Sequence, residues 1–441
     1  MQQPTSAAPR SDADLLDLSK ADRRKRLFAV GIGNFMEWFD FAIYGYFAAI
    51  IGATFFPSGD PTAEMLSSLA VFAVGFISRP VGALFLGPIG DKFGRRTVLI
   101  ITVLSMGIIT TLIGLTPSFE QIGVAAPIIV VALRLLQGMM VGGEWTSAAA
   151  YIGESAPKDK RAQFASVVTA TAGIAFLVGT IVAAILQATM SEAALSSWGW
   201  RVPFLFSLIM AIVAVYIRQK LEDTPVYEEI ERKRATGTIE ITTLGTKFRA
   251  FVLTLAFAGI FGVGLYYFVT YSNNHLTNSV GMERLNSLLA TGSAMVVYVA
   301  FNPLVGRIAD RIGRRPVLLT GVVGLLIWAI PAFMLMNTGV PFLAFLGLTV
   351  FSFFVACCAV MCNVLLVEVF PASVRSTGSS LGYNISYALL AGPGPLIAAW
   401  LVASTGSLIS PAYYVMAVAV LALVVLVPML KETRHVDISH G

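Results

Sequence analysis

Apolar runs of about 20 residues alternate with short polar turns along nearly the whole chain, the length a helix needs to cross a hydrocarbon core of about 30 Å. Twelve such runs can be laid out: 27–53, 65–86, 97–115, 126–149, 163–187, 203–220, 248–272, 286–305, 316–335, 341–366, 378–403 and 411–430. The turns repeat as well as the runs. GPIGDKFGRR, from Gly87 to Arg96, recurs half a chain later as GRIADRIGRR, from Gly306 to Arg315, and each copy follows one apolar run and precedes the next. Glu154, Pro157 and Arg161 recur with the same spacing as Glu368, Pro371 and Arg375. Two independent matches at one period indicate an internal duplication. Half a chain is too long for a solenoid unit, so the expected fold is an all-α membrane protein with twelve transmembrane helices in two pseudo-symmetric six-helix bundles that face one another. The expected bundles are 27–220 and 248–430, joined by a charged linker at 221–247 and flanked by tails at 1–26 and 431–441. Each Gly-x3-Asp-x2-Gly-Arg-Arg motif reads as a turn between two helices.

Composition agrees with this pattern. Of 441 residues, 56% are hydrophobic and only 12% charged, with a mean hydropathy of +0.79; soluble domains carry about 25% charged residues. With both termini inside, every Lys and Arg except Arg79, Arg134, Arg201 and Arg284 falls on the inner side, the asymmetry expected of cytoplasmic loops. The expectation is a multi-pass protein of the cell (inner) membrane with both termini cytoplasmic. The pI near 9.1 then needs no nucleic-acid partner. Cys357, Cys358 and Cys362 share one apolar helix, a packing role, and no zinc spacing is present. Lys20 to Arg26 before an apolar run imitates a signal peptide, but the run is too long and contains Glu37 and Asp40, so it reads as an uncleaved first span.

Ionisable groups inside the spans mark the candidate site, because each is expensive in hydrocarbon. Glu37 and Asp40 lie deep in the first span, and with Asn34 and Tyr44 they read as one stripe facing the cavity between the halves. Glu37, Asp40 and Glu144 are the candidate proton-coupling acids. In the second span Arg79 precedes Pro80 close to the inner end, where it is expected to snorkel. The fourth span, RLLQGMMVGGEW, places Arg134 and Gln137 before glycines at 138, 142 and 143 and Trp145. Arg134 is the candidate partner for a first-span acid or for a solute carboxylate. The second half offers Tyr266, Tyr267, Asn363, Asn384 and a GPGP run, Gly392 to Pro395, that should break its helix. The candidate solute-binding set is thus Asn34, Tyr44, Arg134, Gln137, Trp145, Tyr266, Tyr267, Asn363 and Asn384.

At these residues the chain resembles the major facilitator superfamily, and more narrowly its metabolite:proton symporters, the bacterial proline/betaine, alpha-ketoglutarate, citrate and shikimate permeases. The signature motifs carry the broad resemblance. GNFMEWFDF, RLLQGMMVGGEW, WGWRVPF and EVFPASVRSTG carry the narrow one. The resemblance implies two bundles rocking about a central site, with uptake coupled to protons. It implies a conformational gate at Gly87, Asp91, Gly94, Arg95 and Arg96, repeated at Gly306, Asp310, Gly313, Arg314 and Arg315. The chain ends soon after Lys431-Glu432-Thr433, without the coiled-coil tail of osmosensing members, so osmotic activation is not carried over.

There is no Gly-x4-Gly-Lys-Ser/Thr phosphate loop, which leaves an ion gradient as the energy source and no cofactor. An enzyme is not expected, since His275, His435 and His440 lie away from the midplane. The expected partners are a small solute, protons and the bilayer, with the chain working as a monomer. Few deep cations against several acids favour a zwitterion such as proline or glycine betaine. A dicarboxylate such as alpha-ketoglutarate is the alternative, and a receptor without flux is the alternative from another class.

Overall fold

The computed structural model describes residues 20–93, 95–142, 144–157, 159–219, 244–370 and 375–436. Most of the expected linker, the ends of both tails, Gly94 and Pro371 lie outside the described residues. Helices account for all twelve spans. Among the described residues nine helices are long and apolar enough to cross a bilayer, the first span qualifies as a pair bent by 67°, and Ile100–Leu115 and Ala125–Val141 are shorter apolar helices. Side chains such as Leu84, Phe85, Ile209, Ile212, Leu421 and Val424 are exposed on the outside, as a lipid-facing surface requires.

The first span runs over Lys20–Tyr46 and, after its bend, Ala48–Phe55; the second is Pro61–Ile77 and Arg79–Phe93; the third is Arg95–Leu115. The fourth is Ala125–Val141 and Glu144–Ser155, the fifth Arg161–Thr189 and the sixth Val202–Arg218. In the second half the seventh begins with Leu244–Tyr266, followed by Arg284–Ile312, Arg314–Met336 and Pro341–Glu368. The eleventh joins Arg375–Ser386 to Gly394–Thr405, and the twelfth is Ser410–Met429. First meets seventh, second meets eleventh, fourth meets tenth and fifth meets eighth. Since the duplication equates the second span with the eighth and the fifth with the eleventh, the two mixed pairs exchange under it, as a twofold relation between halves demands.

Glycines set how closely these helices approach. A Cβ on Gly138 would lie 1.7 Å from the Gly75 carbonyl, one on Gly82 1.9 Å from that of Met139, and one on Gly142 2.2 Å from that of Arg79. The second and fourth spans therefore touch backbone to backbone, the small-residue seam that membrane helices use in place of a hydrophobic driving force. Between the halves, a Cβ on Gly306 would lie 2.8 Å from the Ala162 carbonyl oxygen and one on Gly173 2.8 Å from the Val299 side chain.

The second signature motif is not the turn its sequence suggested. Helix continues from Gly306 through Ile312, and Gly313 alone makes the corner, at φ 108°. Continuation points Asp310 at the other half, where its two oxygens accept the N–H groups of Ala162 (3.1 Å) and Gln163 (2.9 Å) at the start of the fifth span. A carboxylate at a helix N-terminus is favoured by both the unpaired amides and the dipole. Arg314 joins Asp310 at 3.2 Å to Glu368 at 3.3 Å, and Arg161 of the first half reaches Glu368 at 3.7 Å. The residues after the twelfth span complete the cluster. Thr433 donates to Glu368 (2.6 Å), Arg161 donates to the Val436 carbonyl (2.8 Å), and Glu432 accepts the N–H groups of Arg314 (2.8 Å) and Arg315 (3.1 Å). The halves are thus tied at the motif end. For the first motif, the backbone is helical at Gly87, Asp91, Arg95 and Arg96, while the side chains there lie outside the described residues.

Two expected outcomes follow. Gly138→Ala forces two backbones apart and should destabilise the folded state by about 3 kcal/mol, the upper range of overpacking. Gly59→Ala, at φ 77° with open space around it, should cost only about 1 kcal/mol; thermal unfolding in detergent reads the difference. Partial burial alone would raise the Glu432 carboxyl, but the N–H groups of Arg314, Arg434, Arg315 and Thr433 outweigh it and hold the carboxyl below its usual 4.5. A depressed value means that the contact is fully present above 4.5 and is lost as pH falls through the lower folded value. Amide exchange at Arg314 and Arg315, corrected for its intrinsic pH dependence, should lose protection below that pH in the wild type and already at neutral pH in Glu432→Gln.

Candidate functional site

The polar residues of the first span do not form one stripe. Positions 34, 37, 40 and 44 spread over about 120° at 3.6 residues per turn, enough to send them to four different neighbours. Asn34 donates to the Val168 carbonyl and to Thr171 of the fifth span, each at 3.0 Å. Glu37 faces Arg79 of the second span, Oε1 to Nη2 at 3.8 Å. Asp40 accepts from Thr110 of the third span (2.6 Å) and Ser207 of the sixth (2.7 Å). Tyr44 donates to the Ser68 carbonyl at 3.0 Å. Of the two acids in this set, Glu37 alone meets a cation directly among the described residues.

Arg134 belongs to a network inside the first half. Its guanidinium lies 3.5 Å from the Tyr44 ring centroid and donates to Gln137 Oε1 at 2.5 Å; Gln137 donates to Thr110 (2.8 Å), which donates to Asp40. Every partner named comes from the first half, and Asp40, Arg134 and Gln137 are each 2–3% exposed. The expectation that Arg134 pairs directly with a first-span acid is corrected: two side chains stand between it and Asp40, and its charge is spread over a ring and an amide.

Arg79 is the larger correction. It does not snorkel but is 1% exposed, because it lies on the same helix face as Gly75 and Gly82, the seam against the fourth span. Its guanidinium is 4.3 Å from the Phe76 ring, 4.9 Å from Phe41 and 5.9 Å from Tyr387 of the eleventh span, so it sits at the contact between halves. Its Nε and Nη2 have no hydrogen-bond partner. Rings from both halves enclose it. Tyr266 is 5.2 Å from Phe76, 6.0 Å from Tyr387 and 6.3 Å from Trp38; Trp38 is 5.1 Å from Trp145; Trp145 stacks on Tyr383, which stacks on Tyr387 at 4.2 Å. The hydroxyls of Tyr266, Tyr383 and Tyr387 and the Trp145 indole N–H also have no hydrogen-bond partner. Leaving a buried polar atom unsatisfied costs about 1–3 kcal/mol, so this concentration of free donors is not explained by stability. The clue in the sequence was the position of Arg79 four residues after Gly75 and three before Gly82, a protein-facing register.

The other expected solute contacts divide. Trp145 and Tyr266 join the box. Tyr267 points away into the second half, against Tyr271, Phe333 and Tyr414. The turn after Tyr266 is a π-helix over Tyr267–Tyr271, a form concentrated at functional sites; another follows Tyr387 as far as Ala391, before the helix resumes at Gly394. Asn384 is a strut between halves: its amide nitrogen donates to the Gly142 carbonyl, where the fourth span breaks, and Ser380 donates there too at 2.9 Å. Asn363 is buried in the tenth span with neither amide atom hydrogen-bonded. The Glu144 side chain lies outside the described residues. A cavity of about 1090 Å³ opens at the end opposite the motifs, lined by residues including Glu64, Glu120, Arg201, Asn278 and Arg284. The two halves are therefore closed on one another at the motif end, with a vestibule at the other, and no residue lining that vestibule belongs to the aromatic box.

Comparison with known proteins agrees with this architecture. Residues 27–242 match the family described as sugar (and other) transporter, and residues 271–440 the one described as major facilitator superfamily. The proline/betaine transporter of Escherichia coli K12 is 36% identical over 96% of this chain and 86% of its own length. The glycine betaine/proline/ectoine/pipecolic acid transporter OusA of Dickeya dadantii is 35% identical over 93% of this chain and 84% of its own. Among solved structures, the proton:xylose symporter XylE bound to 6-bromo-6-deoxy-D-glucose superposes with a TM-score of 0.77 at 17% identity, covering 96% of this chain and 99% of that one. Helix order, the paired halves and relatives spanning nearly the whole length coincide: the chain belongs to the major facilitator superfamily of membrane transporters, and is not an enzyme.

Proposed function

We propose that this transporter imports a small zwitterion, with proline and glycine betaine as the first candidates, together with protons. The observation that carries the reading is Arg79, a buried guanidinium with two unpartnered nitrogens inside a box of aromatic rings built by both halves. A planar guanidinium matches a carboxylate with two parallel hydrogen bonds. Ring faces attract the cationic end of the same solute. The solutes for which OusA is named, glycine betaine, proline, ectoine and pipecolic acid, are carboxylates with a nitrogen centre, which supports the same class. A tricarboxylate would meet too little positive charge, because Arg134 is already engaged within the first half. The positive-inside asymmetry supports both termini on the cytoplasmic side of the cell membrane, so that the cytoplasmic gate is the one closed here and the vestibule faces outward.

One zwitterion moving with one proton carries net positive charge inward. A potential of 100 mV acting on one charge is worth about 2.3 kcal/mol, so an inside-negative potassium diffusion potential should drive betaine or proline into proteoliposomes at zero pH gradient. If neither responds while alpha-ketoglutarate enters on a pH gradient alone, the zwitterion assignment is overturned. Arg79→Gln should abolish saturable uptake. Arg79→Lys keeps the charge but loses the planar fork and should weaken solute affinity about tenfold; wild-type affinity in Arg79→Gln would exclude a carboxylate at this position.

A further inference from the structure

We infer that the aromatic box selects zwitterions whose nitrogen is fully methylated over those that carry N–H groups, and that the rings of Phe76, Tyr266 and Tyr387 make the choice. The inference rests on the zwitterion reading above and divides its two first candidates, favouring glycine betaine over proline. The rings already hold a cation. The Arg79 guanidinium lies 4.3 Å from the Phe76 centroid, 4.9 Å from Phe41 and 5.9 Å from Tyr387, each within the distance of about 6 Å over which a ring face attracts a cation. A guanidinium is broad, delocalised and weakly hydrated. Its seat is one in which ring faces stand in for water, since Phe76, Tyr266 and Tyr387 are fully buried. The faces come from both halves, with Tyr266 at 5.2 Å from Phe76 and Tyr387 at 6.3 Å from it, so the box admits a solute as the halves part. A solute carboxylate that draws Arg79 to itself leaves those faces to the cationic end of the same solute.

The polar atoms of the box decide which cation fits. Arg79 Nε and Nη2, the Trp145 indole nitrogen and the hydroxyls of Tyr266, Tyr383 and Tyr387 are buried without a hydrogen-bond partner, and each has a hydrogen to give. A carboxylate, with about four lone-pair positions, takes up such donors. An ammonium N–H needs the opposite. It would meet hydroxyl oxygens, or the Glu37 carboxylate, which faces Arg79 at 3.8 Å and for which it would compete with that charge. The amide oxygens of Asn363 and Asn384 are also unpartnered, but the tenth span supplies no ring to the box and the Asn384 amide is turned to the Gly142 carbonyl. A trimethylammonium asks for no acceptor at all. Its charge is spread over methyl groups that lie directly on ring faces, and it gives up no hydrogen bond to water on entering. Each N–H left in the box without an acceptor should weaken binding about tenfold.

The test is calorimetric binding of two methyl series to the purified full chain. Glycine, sarcosine, dimethylglycine and glycine betaine form one; proline and its dimethyl betaine form the other, on a different skeleton. Affinity should rise along the first series, and dimethylproline should bind about tenfold tighter than proline or better. Tert-butylacetate, which has carbon in place of the charged nitrogen of glycine betaine, separates recognition of the cation from burial of the methyl groups; it should bind about tenfold more weakly than glycine betaine. Tyr387→Leu should bring the affinity ratio of dimethylproline to proline toward one, whereas Tyr387→Phe keeps the ring and should keep the ratio. Should the leucine variant fail to fold, the two series and the isostere on the wild type carry the test alone. Equal affinity along both series, tighter binding of proline than of its dimethyl form, tert-butylacetate as tight as glycine betaine, or an unchanged ratio in folded Tyr387→Leu would each overturn the selection by rings. Proline or glycine betaine binding would then still uphold the zwitterion reading, and no binding of any member of either series would overturn both.

Discussion

Two of the buried guanidinium groups, those of Arg79 and Arg134, lie within the spans of the first half, and much of that half is arranged around how each is neutralised. Arg134 is engaged locally, by the Tyr44 ring and by an amide that passes the interaction on to Asp40, with its Nε left without a hydrogen-bond partner. Arg79 is satisfied only in part, by one carboxylate at 3.8 Å and by ring faces. A buried charge that loses its only partner costs about 3–5 kcal/mol, so neither network can be dismantled cheaply. The difference is that the first is closed within one bundle while the second lies between two. A charge whose surroundings are contributed by both halves is sensitive to how those halves are placed, and that makes Arg79 the natural point at which occupancy and conformation meet.

The motif end shows the complementary arrangement. There the two halves are held by the Asp310 carboxylate on two amides of the fifth span and by Glu368 shared by Arg314, Arg161 and Thr433, while Glu432 braces the start of the ninth span within the second half. Each contact is a carboxylate against N–H groups, a guanidinium or a hydroxyl, and none requires large apolar surfaces to interlock. Such contacts can form and break as units, while the glycine seam between second and fourth spans, backbone on backbone, holds the first half together. Opening at this end would separate Arg161 and Asp310, which belong to different halves, and leave the pair Arg314 and Glu368 together in the second.

What the sequence made legible was set by periodicity and cost. Twelve spans, the duplication and the polar content of the first helix all follow from where charge is tolerated in hydrocarbon, and the spans and the facing bundles are seen in the fold. The facing of individual side chains was less accessible. A run of Asn34, Glu37, Asp40 and Tyr44 looks like a stripe when counted in threes and fours, but a span surrounded by helices on every side lets each residue find a different neighbour. Arg79 was misplaced because distance along the helix suggested snorkelling, whereas its register with Gly75 and Gly82 fixed its direction. The signature at Gly306 to Arg315 looked like a turn because its glycines and charges suit one; the helix persists through Ile312 because the Asp310 side chain has amides to reach.

The tyrosines make the same argument from the other half. Tyr266 and Tyr267 are adjacent, and a regular helix would separate them by about 100°, so both cannot serve one cavity. The π-helical turn that begins at Tyr267 keeps Tyr266 toward Phe76 and Trp38 while Tyr267 packs on Tyr271 and Tyr414. Another such turn begins at Tyr387, whose ring centroid lies 5.9 Å from the Arg79 guanidinium. Both helices that present an aromatic ring from the second half to the buried cation therefore depart from α-geometry at that ring or directly after it. A π-turn closes its hydrogen bonds one residue further along than the α form, so it can tighten or relax without leaving a backbone group unpaired for long in hydrocarbon. The second-half rings Tyr266 and Tyr387 thus stand where their helices leave α-geometry, and the first half supplies the glycine-packed surface against which they pack.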